Sequence, residues 1–566
     1  MAAHLLRLAP SSLEKVDYQE TSFSVDAVAR NVCNTWEEAM TNPAFDAVVI
    51  GSGMFGAYCA DQLFRETKTK RTRTLLLEAG VFLVAEHYQD LPDIGLEVPD
   101  PMDPANDTGI PRKIVWGMPW RGNTSFVGTP YCVGGKSVYW GGWCPRLTDD
   151  TLAAWPPTVA QYLKDNYRQL EDQLGVSERT DFIQGQLYQA LWDKAQTVRP
   201  HVLGLTAIEE PPLAVQGRPP ASGLFAFNKY SSLPLLISAI RDAIQEAGGD
   251  DGRRRLFLVP RAHVVKLYAT GGVVRRIEVF VNGRQRFLDI GPGCAVVLAL
   301  GAIESTRIAL QSFPTTPNPA DEKMGRNLTV HMRSTTTVQI KRTALESPGK
   351  RLPVELQTAA LLVRGRTSDG HFHLQVTAAD DPERDSDEYL FCMIPDIDQL
   401  KTILGAQRAD FVAVTFRGCA ETQGVKDQPI RDPALRWIDL SPERDEFGFR
   451  RAFVNLGINH AEARLWNAMD SATVEFARKL ANDDNASTRL ISSSRDGLGT
   501  TYHESGTLWM GDDPATSVTN TNGRFHHVAN AYCVDQALFP AVGSANPTLT
   551  GLTLTRKIAE HIARLE

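Results

Sequence analysis

The feature that most constrains this chain is a glycine-rich turn between a short apolar strand and a helix. The strand is predicted for Phe45–Ile50, and residues 54–66 follow a helical pattern. A second apolar run, Thr74-Leu-Leu-Leu-Glu78, predicts another buried strand. Because parallel strands are joined through a helix by connections of this length, these residues predict a βαβ unit at the start of an α/β domain.

The turn itself reads Gly51-Ser-Gly53-Met-Phe-Gly56, which is a G-x-G-x-x-G pattern. The first glycine allows the tight turn, the second lets the backbone approach a pyrophosphate, and the third lets helix and strand pack closely. The N-terminus of the following helix offers free N–H groups to phosphates. Glu78 ends the second strand, where its carboxylate can accept both ribose hydroxyls and disfavours a 2′-phosphate. The pattern predicts a dinucleotide site and leaves FAD and NAD as alternatives.

Composition excludes several classes of function. The 566 residues are 43% hydrophobic and 22% charged, which is typical of a globular protein of several domains. The formal net charge of −8 gives no electrostatic reason to expect nucleic acid or an anionic membrane as partner. No apolar stretch approaches the ~18 residues of a membrane span, and the N-terminus has no sustained apolar region of a secretory signal. With eight dispersed cysteines and no C-x-x-C pair, we expect a cytoplasmic protein without disulfides.

The rest of the chain predicts a second, mostly antiparallel region. Strands are expected within residues 256–300, and helices near the ranges 157–174, 180–197, 231–247, 460–481 and 550–564. Five segments between 335 and 458 alternate as strands of an antiparallel sheet: TTTVQIKR, VELQTAALLVRG, HFHLQVTA, FVAVTF and RRAFVNLG. His371 and His373 alternate on one of these strands, but no third ligand at suitable spacing indicates a metal site.

Four further segments carry a family resemblance. They are Val133-Gly-Gly-Lys-Ser-Val-Tyr-Trp-Gly-Gly142, Gly301-Ala-Ile-Glu-Ser305, Gly325-Arg-Asn-Leu-Thr-Val-His331, and a tail that contains His503-Glu-Ser-Gly506 and Asn546-Pro-Thr-Leu-Thr550. In their order and spacing, over about residues 44–566, they resemble the glucose–methanol–choline (GMC) family of flavin-dependent oxidoreductases. Within that family, Asn546 and the Asn-Pro-Thr-Leu-Thr segment that it begins resemble the pyranose oxidases, while gluconate-type dehydrogenases and cholesterol oxidases are other relatives that carry Asn there. The resemblance implies FAD as the cofactor.

The resemblance also implies a domain organisation. We expect a Rossmann-type FAD-binding domain interleaved with a substrate domain on an antiparallel sheet. The FAD-binding domain is assigned to residues 44–150, 225–334 and 496–566, the substrate domain to 151–224 and 335–495, and an N-terminal arm to 1–43.

Two tail residues are the candidate catalytic pair. Oxidising an alcohol requires removal of a hydroxyl proton, a task that suits the near-neutral imidazole of His503. The amide of Asn546 could bind the same hydroxyl without adding charge. The alternatives are a packed loop histidine and an N-cap, since Asn546 precedes Pro547 at a predicted helix start.

Other residues are candidates for binding the cofactor or the substrate. Gln375 could bind sugar hydroxyls, or it could be a solvated strand residue; Asp535 could meet the flavin, or it could form a turn. The fingerprint and the resemblance together assign these cofactor contacts: Gly51, Gly53, Gly56, Glu78, Gly135, Ser137, Trp140, Val264, Asp535, Asn546 and Thr548. Tyr139 stands where several pyranose oxidases carry the histidine linked to FAD, so we expect FAD to be bound non-covalently.

The function implied is oxidation of a secondary hydroxyl of a pyranose sugar or glycoside to a ketone. His503 would act as base while a hydride passes to flavin N5. The electron acceptor is left open among O2, a quinone and a redox protein. Alternatives are a sterol or polyketide-like alcohol as substrate, an FAD-containing lyase without net redox chemistry, and a non-catalytic flavoprotein.

Overall fold

The protein is described from a computed structural model. The structure describes residues 31–68, 72–91, 116–117, 119–124, 128–176, 185–216, 228–347, 349–383, 387–395, 397–427 and 432–565. Most of the predicted N-terminal arm, and residues 180–184 of one predicted helix, lie outside these ranges.

The described ranges contain both strands and helices. The strands are β1 Ala47–Ile50, β2 Thr74–Leu77, β3 Trp116–Gly117, β4 Trp120–Gly122, β5 Thr129–Pro130, β6 Leu205–Glu209, β7 Val215–Gln216, β8 Asn228–Lys229, β9 Leu256–Val259, β10 Ala262–Thr270, β11 Val273–Val281, β12 Arg284–Asp289, β13 Ala295–Leu298, β14 Met332–Lys341, β15 Gln357–Thr367, β16 Gly370–Asp380, β17 Phe411–Ala420, β18 Trp437–Arg444, β19 Arg450–Asn455, β20 Thr488–Arg495 and β21 Ala531–Cys533. The α-helices are α1 Trp36–Ala39, α2 Met54–Glu66, α3 Asp149–Leu152, α4 Pro157–Leu174, α5 Gln186–Val198, α6 Leu233–Ala247, α7 Ala302–Ser312, α8 Arg342–Leu345, α9 Asp387–Met393, α10 Leu400–Ala406, α11 His460–Leu480 and α12 Thr548–Ala563.

A five-stranded parallel sheet forms the first layer of the fold. Its order is β21-β13-β1-β2-β9, and every neighbouring pair is parallel. The sequences AVVI, TLLL, LFLV and AVVL of its longer strands are buried at every position. Such continuous apolar runs are expected where helices cover both faces of a sheet. The predicted βαβ unit is therefore confirmed, with α2 as its helix.

A six-stranded antiparallel sheet, in the order β20-β14-β17-β16-β15-β6, forms the second region. Successive side chains on a strand face opposite sides. On one side, Leu374, Val376 and Phe416 belong to a core shared with α11, where Phe416 and Phe476 meet edge to face at 6.0 Å. The residues between them in sequence face the other side, so that side is free to form the wall of a cavity.

The structure confirms the fold class and corrects some details. The segment RRAFVNLG was predicted in the large antiparallel sheet, but β19 pairs with β18 and β4 in a separate three-stranded sheet. Strands β6 and β20 were not predicted, because each is a short edge strand and β20 is polar and mostly exposed. The domain boundaries stay a prediction. None of the helices in the described ranges combines the length and the apolar character needed to cross a lipid bilayer.

Candidate active site

Two adjoining cavities extend from the parallel sheet to the antiparallel sheet. The first, here named the sheet cavity, has a volume of about 140 Å³ and is lined by the ends of β1, β2 and β13. The second, the histidine cavity, has a volume of about 200 Å³ and contains His503 and Asn546. Four residues line both cavities: Met54, Phe55, Lys136 and Gln536. The two cavities thus meet at these residues.

The three glycines of the G-x-G-x-x-G turn differ in what surrounds them. A Cβ on Gly56 would lie 1.9 Å from the Gly51 carbonyl oxygen, and one on Gly51 would lie 2.6 Å from the Ala299 carbonyl oxygen. Gly51 also has a φ of +95°, which disfavours other residues. A Cβ on Gly53 would meet no described atom within 4 Å, although Gly53 lines the sheet cavity. Packing of the protein therefore requires Gly51 and Gly56, whereas it leaves room at Gly53.

Glu78 lies in the wall of the sheet cavity with its carboxylate held by the glycine turn. Oε2 accepts hydrogen bonds from the Ser52 amide at 2.9 Å and the Ser52 hydroxyl at 2.7 Å, and Oε1 accepts one from the Gly80 amide at 2.8 Å. Burial raises the pKa of Glu78 against the effect of these donors. A carboxylate has about four acceptor sites, so these three bonds leave capacity for a ligand hydroxyl.

The predicted flavin loop lies at the junction of the cavities. Gly135 lines the sheet cavity, and a Cβ there would lie 2.9 Å from the Gly53 Cα. Trp140 lines the histidine cavity and donates from Nε1 to the Tyr230 carbonyl at 2.7 Å. Ser137 supports the loop, since its hydroxyl donates to the Gly134 carbonyl at 2.7 Å.

The remaining predicted cofactor residues separate into two groups. Val264 lines the sheet cavity and Thr548 the histidine cavity. Asp535 is fully buried, and its carboxylate accepts from the Gly301 amide, the Ser305 hydroxyl and the Ala537 amide at 3.0, 2.5 and 2.9 Å. Asp535 does not line either cavity. Its hydrogen bonds connect the start of α7 to the C-terminal tail.

His503 and Asn546 lie together, as the sequence predicts. Nε2 of His503 is 3.3 Å from Nδ2 of Asn546. Nδ1 of His503 is 2.7 Å from Nδ1 of His331, whose Nε2 is 2.8 Å from the Gly543 carbonyl oxygen. The N-cap of α12 is Pro547, one residue later than expected, so Asn546 does not cap the helix. Its side chain belongs to the active-site network.

Gln375 fixes the orientation of the Asn546 amide. Nε2 of Gln375 donates to Oδ1 of Asn546 at 2.7 Å, which leaves Nδ2 directed at His503. The same Nε2 is 3.2 Å from Nε2 of His373, and Nδ1 of His373 is 3.4 Å from the Ser544 hydroxyl. Gln375 also lines the histidine cavity, with its side chain 4% exposed. A solvated strand residue is thereby excluded.

The histidines of this network are neutral at neutral pH. Burial lowers the pKa of His331 to about 4. Burial, followed by the charge of His331 and other cations, lowers the pKa of His503 well below its usual value. Burial has the same effect on His373. A neutral imidazole can accept a proton, which an imidazolium cannot.

Charged groups also line the histidine cavity. Arg417 lies directly across from Gln375 in the register of β16 and β17, and it binds both oxygens of Asp398 at 2.8 and 2.9 Å. Burial alone would raise the pKa of Asp398, but Arg417 and Arg333 outweigh it and hold the pKa at about 2. The wall therefore presents fixed charges to any ligand.

Sequence reasoning missed several of these groups. Arg417 interrupts the otherwise apolar strand FVAVTFRGCA, and a charge inside a fully buried strand is a detectable signal. Lys136 lies inside the glycine-rich loop, where its ammonium is 3.9 Å from the carboxylate of Glu504. The role of His373 had no such signal, because it depends on contacts between distant segments.

Comparison with known proteins identifies the family. Residues 425–555 match the family model described as GMC oxidoreductase. The chain is 26% identical over 93% of both chains to the 6'''-hydroxyparomomycin C oxidase of Streptomyces lividus. It is 52% identical over 125 residues, 22% of this chain and 21% of the relative, to the paromamine 6'-oxidase of Streptomyces fradiae. Residues 425–555 are thus a C-terminal GMC oxidoreductase segment, and the chain as a whole is similar to these oxidases.

A solved structure supports the fold. The crystal structure of pyridoxine 4-oxidase from Mesorbium loti matches with a TM-score of 0.56 and 16% identity, over 91% of this chain and 99% of that chain. GMC oxidoreductases are FAD-dependent, so FAD is the cofactor of this protein, which is an oxidoreductase.

The residues present fit such a group. Gly53 leaves open space on the wall of the sheet cavity, where the backbone can approach a pyrophosphate. At the junction of the cavities, Oε1 of Gln536 is buried and has no hydrogen-bond partner among the described residues. A buried polar atom without a partner is costly, and a ligand that passes from one cavity to the other would supply one.

Proposed function

We propose that this protein oxidises the hydroxymethyl group at position 6 of an amino sugar unit in a glycoside, giving an aldehyde. The observation that carries the proposal is the pair His503 and Asn546. Their Nε2 and Nδ2 atoms lie 3.3 Å apart in a cavity that meets the proposed FAD site. A hydroxyl oxygen placed there could contact both atoms.

FAD would be held by the residues of the sheet cavity and its junction. Glu78 would accept the ribose hydroxyls, the turn at Gly53 would approach the pyrophosphate, and Val264 would line the adenine end. Lys136 and Gln536 would lie beside the ring system. When bound, FAD accepts the carbon-bound hydrogen and the two electrons of the alcohol.

The chain itself manages the hydroxyl proton. The substrate O–H bond breaks as Nε2 of His503 accepts its proton, and an N–H of Asn546 donates to the oxygen. Because Gln375 holds Oδ1 of Asn546, the amide keeps its donor toward the reacting oxygen. Positioning of this kind lowers the entropic part of the barrier.

Polar groups in the wall favour an amino sugar glycoside over a lipophilic alcohol. A sterol would cover Arg333, Arg417 and Asp398 without hydrogen-bonding them, which costs free energy. Both curated relatives carry a position-6 label in their names, and carbon 6 of a hexopyranose bears a primary hydroxyl. We therefore prefer this position to the secondary hydroxyl that the likeness to pyranose oxidases implies.

Non-covalent binding of FAD is part of the proposal. Tyr139 lines the histidine cavity in place of the linking histidine, and burial raises the pKa of its phenol well above 10. A phenol that stays protonated is a poor nucleophile toward the flavin methyl group. Denaturation should release intact FAD into the supernatant, whereas flavin retained by the precipitate would contradict the proposal.

Anaerobic flavin bleaching tests the proposed reaction. Paromamine and an analogue without the 6'-hydroxyl form a matched pair, and a simple pyranose and a sterol complete the panel. We expect bleaching by paromamine and not by the deoxy analogue, with an aldehyde product that a hydrazine traps. A trapped ketone would move the reaction to a ring hydroxyl. Full FAD content without bleaching by any alcohol would overturn the proposal in favour of a lyase or a non-catalytic flavoprotein.

A further inference from the structure

A pair of histidine rings in the active site shares a single hydrogen. Nδ1 of His331 and Nδ1 of His503 are 2.7 Å apart, a normal hydrogen-bond distance between nitrogens. Two bare nitrogens would repel at this distance, and two N–H groups would clash. One of the two nitrogens therefore carries a hydrogen, and the other accepts it.

The surroundings of His331 decide where that hydrogen lies. Nε2 of His331 is 2.8 Å from the carbonyl oxygen of Gly543, and a carbonyl can only accept. Nε2 of His331 must therefore carry a hydrogen. Since a neutral imidazole has one N–H, Nδ1 of His331 is bare and the shared hydrogen belongs to Nδ1 of His503. Neutral His503 is then bare at Nε2, the nitrogen beside Asn546.

We propose that His331 is a positioning residue that selects the Nδ1–H tautomer of His503 and so leaves Nε2 free to accept the substrate proton. The Nε2–H tautomer predominates for free histidine in water, and in that form Nε2 could not act as a base. His331 is 1% exposed and directly precedes β14, and it is outside the residues that line the histidine cavity. It acts through His503. The catalytic part of this inference rests on the proposed function.

Burial, supported by the charges around the pair, keeps both rings neutral. Arg333 on β14, His373 on β16 and Lys136 in the glycine-rich loop are the groups whose charges act on His503, and Arg333 also acts on His331. All of them are cationic when protonated, so they oppose a positive charge on either ring. Once His503 has accepted the substrate proton, its Nδ1–H still points at the bare nitrogen of His331, and that nitrogen can share the charge.

Two variants separate a selected tautomer from simple packing. In His331→Asn, the amide oxygen can replace Nδ1 as acceptor, whereas His331→Leu has a similar volume and no acceptor. We expect His331→Leu to slow the limiting rate of flavin reduction roughly 10- to 10³-fold with little change in substrate Kd. His331→Asn should recover most of that rate. Equal loss in both variants at full FAD content would overturn the inference.

A spectroscopic measurement needs no substrate and covers the case in which His331→Leu does not fold. ¹⁵N NMR of histidine-labelled, FAD-loaded protein distinguishes N–H from bare nitrogens, and the spectrum of His503→Asn identifies the His503 signals. We expect Nδ1–H and bare Nε2 in the wild type. A hydrogen on Nε2 of wild-type His503 would overturn the inference. This measurement uses no alcohol, so its result does not depend on the proposed reaction. Failure of the proposed reaction would instead be seen as absence of flavin bleaching.

Discussion

The two cavities are built from different parts of the chain. The sheet cavity lies at the glycine turn, where Gly51, Gly56 and Gly135 let the backbone of strand, helix and loop approach closely and Gly53 leaves open space. The histidine cavity is formed by side chains, several of them from the inner side of the antiparallel sheet. Backbone sites need particular residues at fixed spacing, so a motif reveals them. Side-chain sites need only that distant residues meet, which leaves little trace in sequence.

The largest effect is expected from Gly56→Val, in the glycine turn beside the sheet cavity. The Cβ would lie 1.9 Å from the Gly51 carbonyl, and backbone on both sides cannot move away without separating α2 from β1. We expect insoluble or unfolded protein, measured by soluble yield and circular dichroism. A folded Gly56→Val variant with a normal melting temperature would break the claim that packing fixes this position.

Gly53→Val is the matched control, and its effect should be confined to the cofactor. Its Cβ meets no described atom within 4 Å, so the protein should fold, but the side chain would occupy space that a pyrophosphate needs. We expect little bound FAD and a melting temperature equal to that of flavin-depleted wild type, since ligand binding stabilises the folded state. Stoichiometric FAD in this variant would contradict the fingerprint assignment.

In the histidine cavity, His503→Ala should change rate rather than folding. Loss of a positioned base typically slows a reaction by ~10²–10⁴-fold, so anaerobic stopped-flow should show flavin reduction slowed by about that much. The wild-type rate should be constant near neutral pH and fall only in acid, because burial keeps the pKa of His503 well below 6.5. Asn546→Ala should keep this acid limb at a reduced rate, whereas His503→Ala should lose it. Reduction of His503→Ala at the wild-type rate would place the base elsewhere.

The smallest effect concerns stability in acid, which we expect to arise from the histidine cavity. Unfolded histidine titrates near 6.5, whereas burial lowers the pKa of His331 to about 4. Between these values the unfolded state binds a proton that the folded state excludes, so the unfolding free energy falls as the pH drops. The contribution of His331 is about 3 kcal/mol over this range. Urea unfolding between pH 4 and pH 7 should give a smaller pH dependence for His331→Asn, and identical slopes would contradict this.

The contrast between the two cavities also explains which parts of the structure could be predicted from the sequence. The bounds of α2 and α4 agree with the sequence pattern, because their apolar spacing and flanking glycines are local signals. His503 and Asn546 were predicted to lie together from the family resemblance and from the chemistry of alcohol oxidation. The partners His331, His373 and Arg417 acquire their roles only when segments up to about 170 residues apart meet. Local patterns mark His331 as part of a motif and Arg417 as a charge in a buried strand, but they do not show which residues these side chains will contact.

The topology of the parallel sheet also sets an order of assembly. Strands β13 and β21 are neighbours in this sheet. In the chain, however, five of the six strands of the antiparallel sheet, β14 to β17 and β20, lie between them. A ribosome therefore makes those strands before β21, and they can pair with one another while the edge strand of the parallel sheet is still missing. Pairing over such sequence separation is slow, because a long loop must close first. We expect the nascent protein to acquire its flavin only after most of the antiparallel sheet has already folded.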